Sequence, residues 1–327
     1  MSTMTAGGGL VLGAYALFAG RTPDELPDAY RALAELPDVD TLEIPLEDAV
    51  GASPGWVAGA DGLPTLVPEG WDLVITCIPT VMARLAADPR YGLASTDTDG
   101  RAAAVEDVRR ALTVAKRAAD LAGRQRVRAI EINSAPTGSA SVGEFERSLT
   151  ELLEAESTGT TLAVEHCDAP RPGRTPQKGF LEAHAELTVI EALGDERLGL
   201  TVNWGRSAIE GRSAQTPEEH VRLAAERGRL AGIMFSGASP DSGPWGVPWQ
   251  DGHIAPRGAG GQGIWAESLL GPEELRRTFE AAGAGAPCYR GVKVTAGPPS
   301  RPVAQRLQVA RDAVAMVLAA ERGPAGS

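Results

Sequence analysis

The sequence is poor in the residues that build cross-links, metal clusters and cationic surfaces. Its three cysteines, Cys77, Cys167 and Cys288, are odd in number and far apart. They form neither a disulfide framework nor a C-x-x-C knuckle, so a reducing compartment is expected. Four histidines are too few for a histidine-rich multi-metal centre. The longest apolar stretch, Gly9 to Gly20, is about a dozen residues, short of the roughly 20 that span a bilayer. Nothing basic precedes it, as a signal peptide would require, so a soluble cytoplasmic protein is expected. Lysine is almost missing: Lys116, Lys178 and Lys293 are the only three among 31 Lys+Arg. Those 31 face 43 Asp+Glu, for a net charge of −12, which argues against nucleic-acid or anionic-membrane partners. With 43% hydrophobic residues over 327 positions, the chain is too apolar to be disordered.

What is present is a rhythm of short apolar runs and longer amphipathic ones. Runs rich in Val, Ile and Leu predict eight strands, at 10–16, 40–45, 71–78, 127–133, 161–166, 198–203, 230–236 and 289–295. Helical patterns fall between them over 24–36, 101–123, 144–155, 179–193, 217–228, 273–282 and 302–320. Strand–helix alternation points to a parallel sheet, and eight units at this length point to one closed (β/α)8 TIM barrel spanning residues 1–327. A doubly wound sheet is the alternative, but the first strand is not followed by a G-x-G-x-x-G turn. The long connections 46–70 and 237–271 fall at the C-terminal mouth, where barrels bind substrates. The second carries Trp245, Trp249 and Trp265 with Asp251 and His253; it reads equally as packing onto its own barrel, as a lid or as a subunit contact in a homodimer.

In a parallel barrel the large apolar strand residues meet helices and alternate residues point inward. Leu42 and Ile44 turn out, which sends Glu43 in. The same logic directs Glu131, Asn133, Ala163, Glu165, Thr201, Asn203, Gly291, Lys293 and Thr295 inward, with His166 on the opposite face of its strand. Buried ions need partners, and so many at strand C-terminal halves suggest a catalytic mouth. His184 and His220 lie in helical patterns and read as structural.

The chain resembles the xylose-isomerase-like sugar isomerase/epimerase barrels, related in fold to endonuclease IV, as a divergent branch. The resemblance rests on Leu42-Glu43-Ile44-Pro45 and on Gly92-Leu93-Ala94-Ser95, followed by Arg101 and a long helix to Ala122-Gly123. Phe145-Glu146-Arg147-Ser148-Leu149 and Leu162-Ala163-Val164-Glu165-His166 complete it, and it covers most of residues 8–320. It implies a divalent metal on a Glu of strand five, an Asp of strand six, a His of strand seven and a Glu of strand eight. Only Glu165 matches; the other places hold Asn203, Phe235-Ser236-Gly237 and Lys293. An amide is a weak ligand for a hard cation and an ammonium repels one. No cofactor is therefore expected, although Glu43, Glu131, Glu165 and His253 are residue types that could build a different metal site.

The reaction the resemblance implies removes a proton beside a carbonyl and stabilises an enediolate. Glu165 is then the base, Lys293 the oxyanion stabiliser, and Glu131 or Glu43 the second proton carrier. Asn133, Asn203, Arg206, Ser236, His253 and Trp249 would bind a sugar or anionic sugar derivative. Ser236-Gly237-Ala238-Ser239, Thr295-Ala296-Gly297 and the loop residues Arg171, Arg174, Lys178, Arg206 and Arg212 offer an anion subsite. A Schiff-base lyase or aldolase using Lys293 and a catalytically inactive carbohydrate-binding barrel remain as alternatives.

Overall fold

Short β-branched and aliphatic runs make the parallel strands β1 (Leu10–Leu12), β2 (Val39–Pro45), β3 (Asp72–Thr76), β4 (Val127–Ile132), β5 (Thr161–His166), β6 (Leu198–Asn203), β7 (Leu230–Phe235) and β8 (Tyr289–Val292). In the computed structural model, which describes residues 9–261, 263, 265–283 and 287–323, these strands follow one another in chain order around a closed barrel. The helices are α1 (Ala14–Leu17), α2 (Leu26–Arg31), α3 (Leu46–Ala49), α4 (Ile78–Ala87), α5 (Thr98–Ala122), α6 (Val142–Ala155), α7 (Ala183–Leu193), α8 (Trp204–Gly211), α9 (Thr216–Glu226), α10 (Pro272–Ala282) and α11 (Val303–Arg322). Among the described residues no helix is long and apolar enough to cross a membrane.

Three expected strands outrun the observed ones by more than one residue, the run 289–295 among them, since β8 stops at Val292. The run 10–16 is not one strand: it stops at Leu12, and Ala14-Tyr15-Ala16-Leu17 turns into α1 after Gly13. The run 71–78 stops at Thr76 because Pro79, at the start of α4, favours a first helical turn over continued strand.

The chain divides into two compact units, Leu42–Thr201 and Met1–Thr41 with Val202–Ser327. In the first, Thr76, Glu131 and Ala163 are aligned across β3, β4 and β5, as are Ile75, Ile130 and Leu162. Helix α5 starts where the Asp97 side chain accepts a hydrogen bond from Gly100 N at 2.8 Å and stops at Gly123 in the left-handed region, φ 65°. Helix α6 starts with Ser141 in the same role, its hydroxyl facing Glu144 N three residues on.

In the second unit β8 lies between β1 and β7, with Gly291 aligned to Val11 and Met234. A Cβ on Gly291 would stand 2.6 Å from Val11 O and 2.7 Å from Met234 Sδ, so only glycine fits this inner layer. Loop 237–271 meets other elements of its own unit where Thr295 N donates to His253 O at 2.7 Å and Gly260 N to Asp312 Oδ2 at 2.8 Å, and it also folds on itself. Gly237 and Ile254 form a backbone bridge, and the buried rings of Trp245 and Trp265 are 6.2 Å apart. Trp249 is the half-buried member of the three.

Candidate active site

Helix contacts settle which strand face points inward. On β5, His166 reaches Glu186 of α7, Nδ1 to Oε2 at 2.7 Å. Val164 and Leu162 share that helix-side face by alternation, so Ala163 and Glu165 face the barrel interior. Register then carries Glu131 and Thr76 to the same inner face. Glu43 follows by alternation on β2, between buried Leu42 and Ile44. All three glutamates are fully buried.

Behind them a polar network ties strand ends to a helix. Ser134 donates to Glu186 Oε1 at 2.5 Å while His166 holds Oε2, and all three residues are buried. Ser134 and His166 are the chain neighbours of Asn133 and Glu165, so their outward anchors fix which way those two residues turn. Asn133 spends its amide on structure, donating to Glu165 O at 3.0 Å and toward Cys167 Sγ at 3.5 Å. Its Oδ1 is buried with no hydrogen-bond partner among the described residues. Cys77 follows β3 beside these acids. Burial, then the charges of Asp107, Glu131 and Glu165, push its thiol far above the usual range, so it is a neutral packing group rather than a nucleophile.

In the other unit Phe235 of β7 packs on Phe279 of α10, ring centroids 5.4 Å apart. Val292, aligned with Phe235, therefore faces the helices and Lys293 the interior. Lys293 lies one residue beyond β8 yet continues the ladder, its N–H donating to Phe235 O at 3.0 Å. It is fully buried, with Nζ 5.3 Å above the Tyr15 ring. Asn203 caps α8: its Oδ1 accepts from Arg206 N at 3.3 Å and from the Ser236 hydroxyl at 3.0 Å. Arg206 is 1% exposed and donates through Nε to Asp251 Oδ2 at 3.0 Å, and Asp251 Oδ1 is 3.4 Å from His253 Nδ1. Trp249 and His253 both hold positive φ, 60° and 48°. Side-chain residues rarely adopt this conformation, which costs of order 1–3 kcal/mol and is concentrated at functional sites. Arg212 stacks on the Trp249 ring at 4.9 Å.

The sequence-expected residues therefore fall into two groups. Glu43, Glu131 and Glu165 share the inner face of one unit. Asn203, Ser236, Arg206, Trp249, His253 and Lys293 cluster on β6–β8 and their loops in the other. Arg206 is a buried support for Asp251 rather than an open fork for an anion. The turn after β7 is likewise occupied: Ser236 bonds Asn203, Ser239 Oγ accepts from Asp241 N at 3.0 Å, and Gly237 pairs with Ile254. Arg171 and Arg174 form a small exposed turn. Thr76, Glu186, Asp251 and Tyr15 were not singled out as site residues. Alternation applied to β3 would have found Thr76; no local pattern marks Glu186 or Tyr15.

The donor set on strands six to eight does not fit the divalent ion that the resemblance implies. The strand-six amide oxygen already serves two hydrogen-bond donors, strand seven ends in a serine whose hydroxyl donates to that amide, and strand eight supplies an ammonium.

The sequence matches a domain of unknown function, DUF4862, over residues 11–309. An uncharacterised protein of Salmonella typhimurium is 31% identical over 325 residues, covering 96% of this chain and 98% of its own. Among solved structures, an L-ribulose 3-epimerase superposes with a TM-score of 0.60 at 15% identity, over 97% of this chain and 96% of its own. A xylose isomerase domain protein from Alicyclobacillus acidocaldarius gives a TM-score of 0.58 at 14% identity, over 97% of this chain and all of its own. At these identities the structural likeness is one of fold. The chain belongs to the DUF4862 family, and it shares the barrel fold of these two solved structures.

Proposed function

We propose that the protein is an isomerase or epimerase of a sugar or anionic sugar derivative, working by proton abstraction next to a carbonyl. The observation that carries this reading is the set of fully buried carboxylates, Glu43, Glu131 and Glu165, on the inner strand faces of a barrel shared with sugar epimerases and isomerases. The Glu165 carboxylate takes the proton from the carbon beside the carbonyl. The C–H electron pair forms the C=C bond of an enediolate, and the carbonyl pair moves onto oxygen. Lys293 supplies the positive charge that the oxyanion needs. Glu131, or Glu43 in its place, starts as the protonated acid and gives up its proton, to the opposite face of the same carbon in an epimerase; in an isomerase the proton goes to the former carbonyl carbon while the adjacent hydroxyl passes its proton to the former carbonyl oxygen and becomes the new carbonyl. Trp249 offers an aromatic face and His253 a polar edge to the sugar, while Asn133, Asn203, Ser236 and Arg206 shape its surroundings. The ligand is a small sugar rather than a nucleic acid, in keeping with the acidic balance of the chain.

The Lys293 Nζ lies 5.3 Å from the centre of the Tyr15 ring, a placement in which the ring face would favour a positive charge, which supports this role beside that of a Schiff-base nucleophile. The test is incubation with a panel of aldoses and ketoses in D2O, followed by NMR of the carbons beside the carbonyl. The reading expects deuterium at one carbon of at least one sugar, reduced about 100-fold or more in Glu165→Gln. Borohydride trapping of substrate on Lys293 would replace it with the lyase, and binding without exchange in either form would leave only a carbohydrate-binding barrel.

A further inference from the structure

The connections that follow β1 and β8 hold three arginines together against one carboxylate. Arg306, at the start of α11, is 1% exposed and has no acidic partner among the described residues. Its guanidinium donates instead to five backbone carbonyls: Leu17 O at 2.7 Å, Ala19 O at 3.2 Å, Pro298 O at 3.1 Å, Pro299 O at 2.7 Å and Arg301 O at 3.0 Å. Arg21 donates to the same Arg301 carbonyl at 2.5 Å and to Glu25 at 3.0 Å, and its Nε is buried without a partner. The half-buried Arg301 guanidinium lies flat against Gly297, its Cζ 3.3 Å from where a Cβ would stand, and it makes no ion pair among the described residues. Burial, and after it the charges of Arg21 and Arg301, hold the Arg306 guanidinium below its ordinary value.

This arrangement departs from the rest of the chain. Other buried arginines are matched by acids: Arg101 by Glu151 at 2.8 Å, Arg126 by Asp72 at 3.0 Å and Arg206 by Asp251 at 3.0 Å. Here three guanidiniums face only Glu25, itself 46% exposed, in a protein whose net charge is −12. Like charges held together in a partly dry setting repel, and the assembly is costly unless a counter-charge completes it. The surplus is two positive charges, which matches a phosphate monoester near pH 7. The guanidinium fork is the group suited to its oxygens. Because β1 and β8 are paired neighbours, both loops leave the same C-terminal rim, and Lys293 lies only four residues before Gly297 in the chain.

We propose that Arg21 and Arg301, held in place by the carbonyl-bound Arg306, form an anion site that takes the phosphate group of a phosphorylated sugar. The substrate class rests on the isomerase or epimerase reading above; the site does not.

The test is titration with inorganic phosphate at constant ionic strength, with chloride as control, on the wild type, Arg301→Gln and Arg21→Gln. Arg301 is the safer position because its side chain makes no hydrogen bond among the described residues that the fold would lose. Binding is read by calorimetry and by the rise in Tm. The expected result is saturable phosphate binding by the wild type, at least tenfold weaker in Arg301→Gln, with Arg21→Gln weakened as well. No saturable binding, or equal binding by wild type and Arg301→Gln, would overturn the site. Deuterium exchange into phosphorylated and neutral sugars separates the two levels. Exchange into neutral sugars that phosphate does not inhibit would overturn the substrate class and leave the isomerase or epimerase reading standing. Phosphate binding lost in Arg301→Gln, without exchange into any sugar, would support the site and count against that reading.

Discussion

Replacing Glu186 by leucine tests the idea that outward anchors aim the inward carboxylates. The Glu186 carboxylate receives two short contacts in a fully buried setting, from the Ser134 hydroxyl at 2.5 Å and from His166 Nδ1 at 2.7 Å. Hydrogen bonds to charged groups contribute about 1.5–3 kcal/mol each, so losing both sets a scale of about 3–6 kcal/mol. An apolar replacement relieves part of the desolvation of the buried carboxylate, which brings the expected net loss to about 2–4 kcal/mol. Glu186→Gln keeps an acceptor for Ser134 and a polar partner for His166, and should lose no more than about 1 kcal/mol. Urea denaturation of the three proteins measures this directly. At a temperature where Glu186→Leu is fully folded, proton exchange should also fall, because Asn133 and Glu165 adjoin the two released anchors. A Glu186→Leu protein as stable as wild type, or a glutamine variant as damaged as the leucine one, would refute the reasoning.

Other positions give independent outcomes. Gly291→Ala places a Cβ 2.6 Å from the Val11 carbonyl and should destabilise by about 1–3 kcal/mol in chemical denaturation, since backbone cannot move aside as a flexible side chain can. Asn203→Ala removes the cap of α8 and the acceptor of Ser236, and should cost about 1–2 kcal/mol by the same assay. For Asp107, burial pushes the carboxyl up, but hydrogen bonds from Arg84, Arg110 and Tyr91 outweigh it and hold the group below its ordinary value. The stability this gives is present above the unfolded carboxyl pKa of about 3.9 and lost as pH falls through the folded value, so Asp107→Asn should lose less stability than wild type between about pH 5 and about pH 3. Thiol titration of the native protein should label one cysteine per chain, Cys288, because Cys77 and Cys167 are buried.

The barrel was legible because its strands are bounded apolar runs; those at 161–166 and 198–203 coincide with β5 and β6. Period-two alternation also assigns Glu131, Glu165 and Lys293 to the strand face that the helix contacts leave for the interior, since it depends only on which neighbours are large and apolar. Strand ends were less legible. Gly13 and Pro79 act through local turn and helix preferences that the apolar run masks, so most of α1 falls within an expected strand, and α4 is not foreseen beyond the overlap at Ile78. Contacts distant in sequence left no trace at all. Glu186 meets Ser134 across 52 residues, Arg206 meets Asp251 across 45, and Arg306 meets the Leu17 carbonyl across 289. Arginine is abundant in this chain, so nothing local separates Arg301 and Arg306, which make no ion pair among the described residues, from arginines that carry an acid partner. The expected sugar-binding role of Asn203 met a competing use, because a side-chain oxygen at a strand–helix junction is drawn to the exposed N–H groups of the helix.

The most direct measurement of the central claim is deuterium incorporation from D2O into sugar by wild type dialysed against EDTA, beside Glu165→Gln and Lys293→Met. The account predicts undiminished exchange after chelation and losses of about 100-fold or more in both variants. Exchange that vanishes with EDTA and returns with a divalent ion, or that survives in Glu165→Gln, would contradict it.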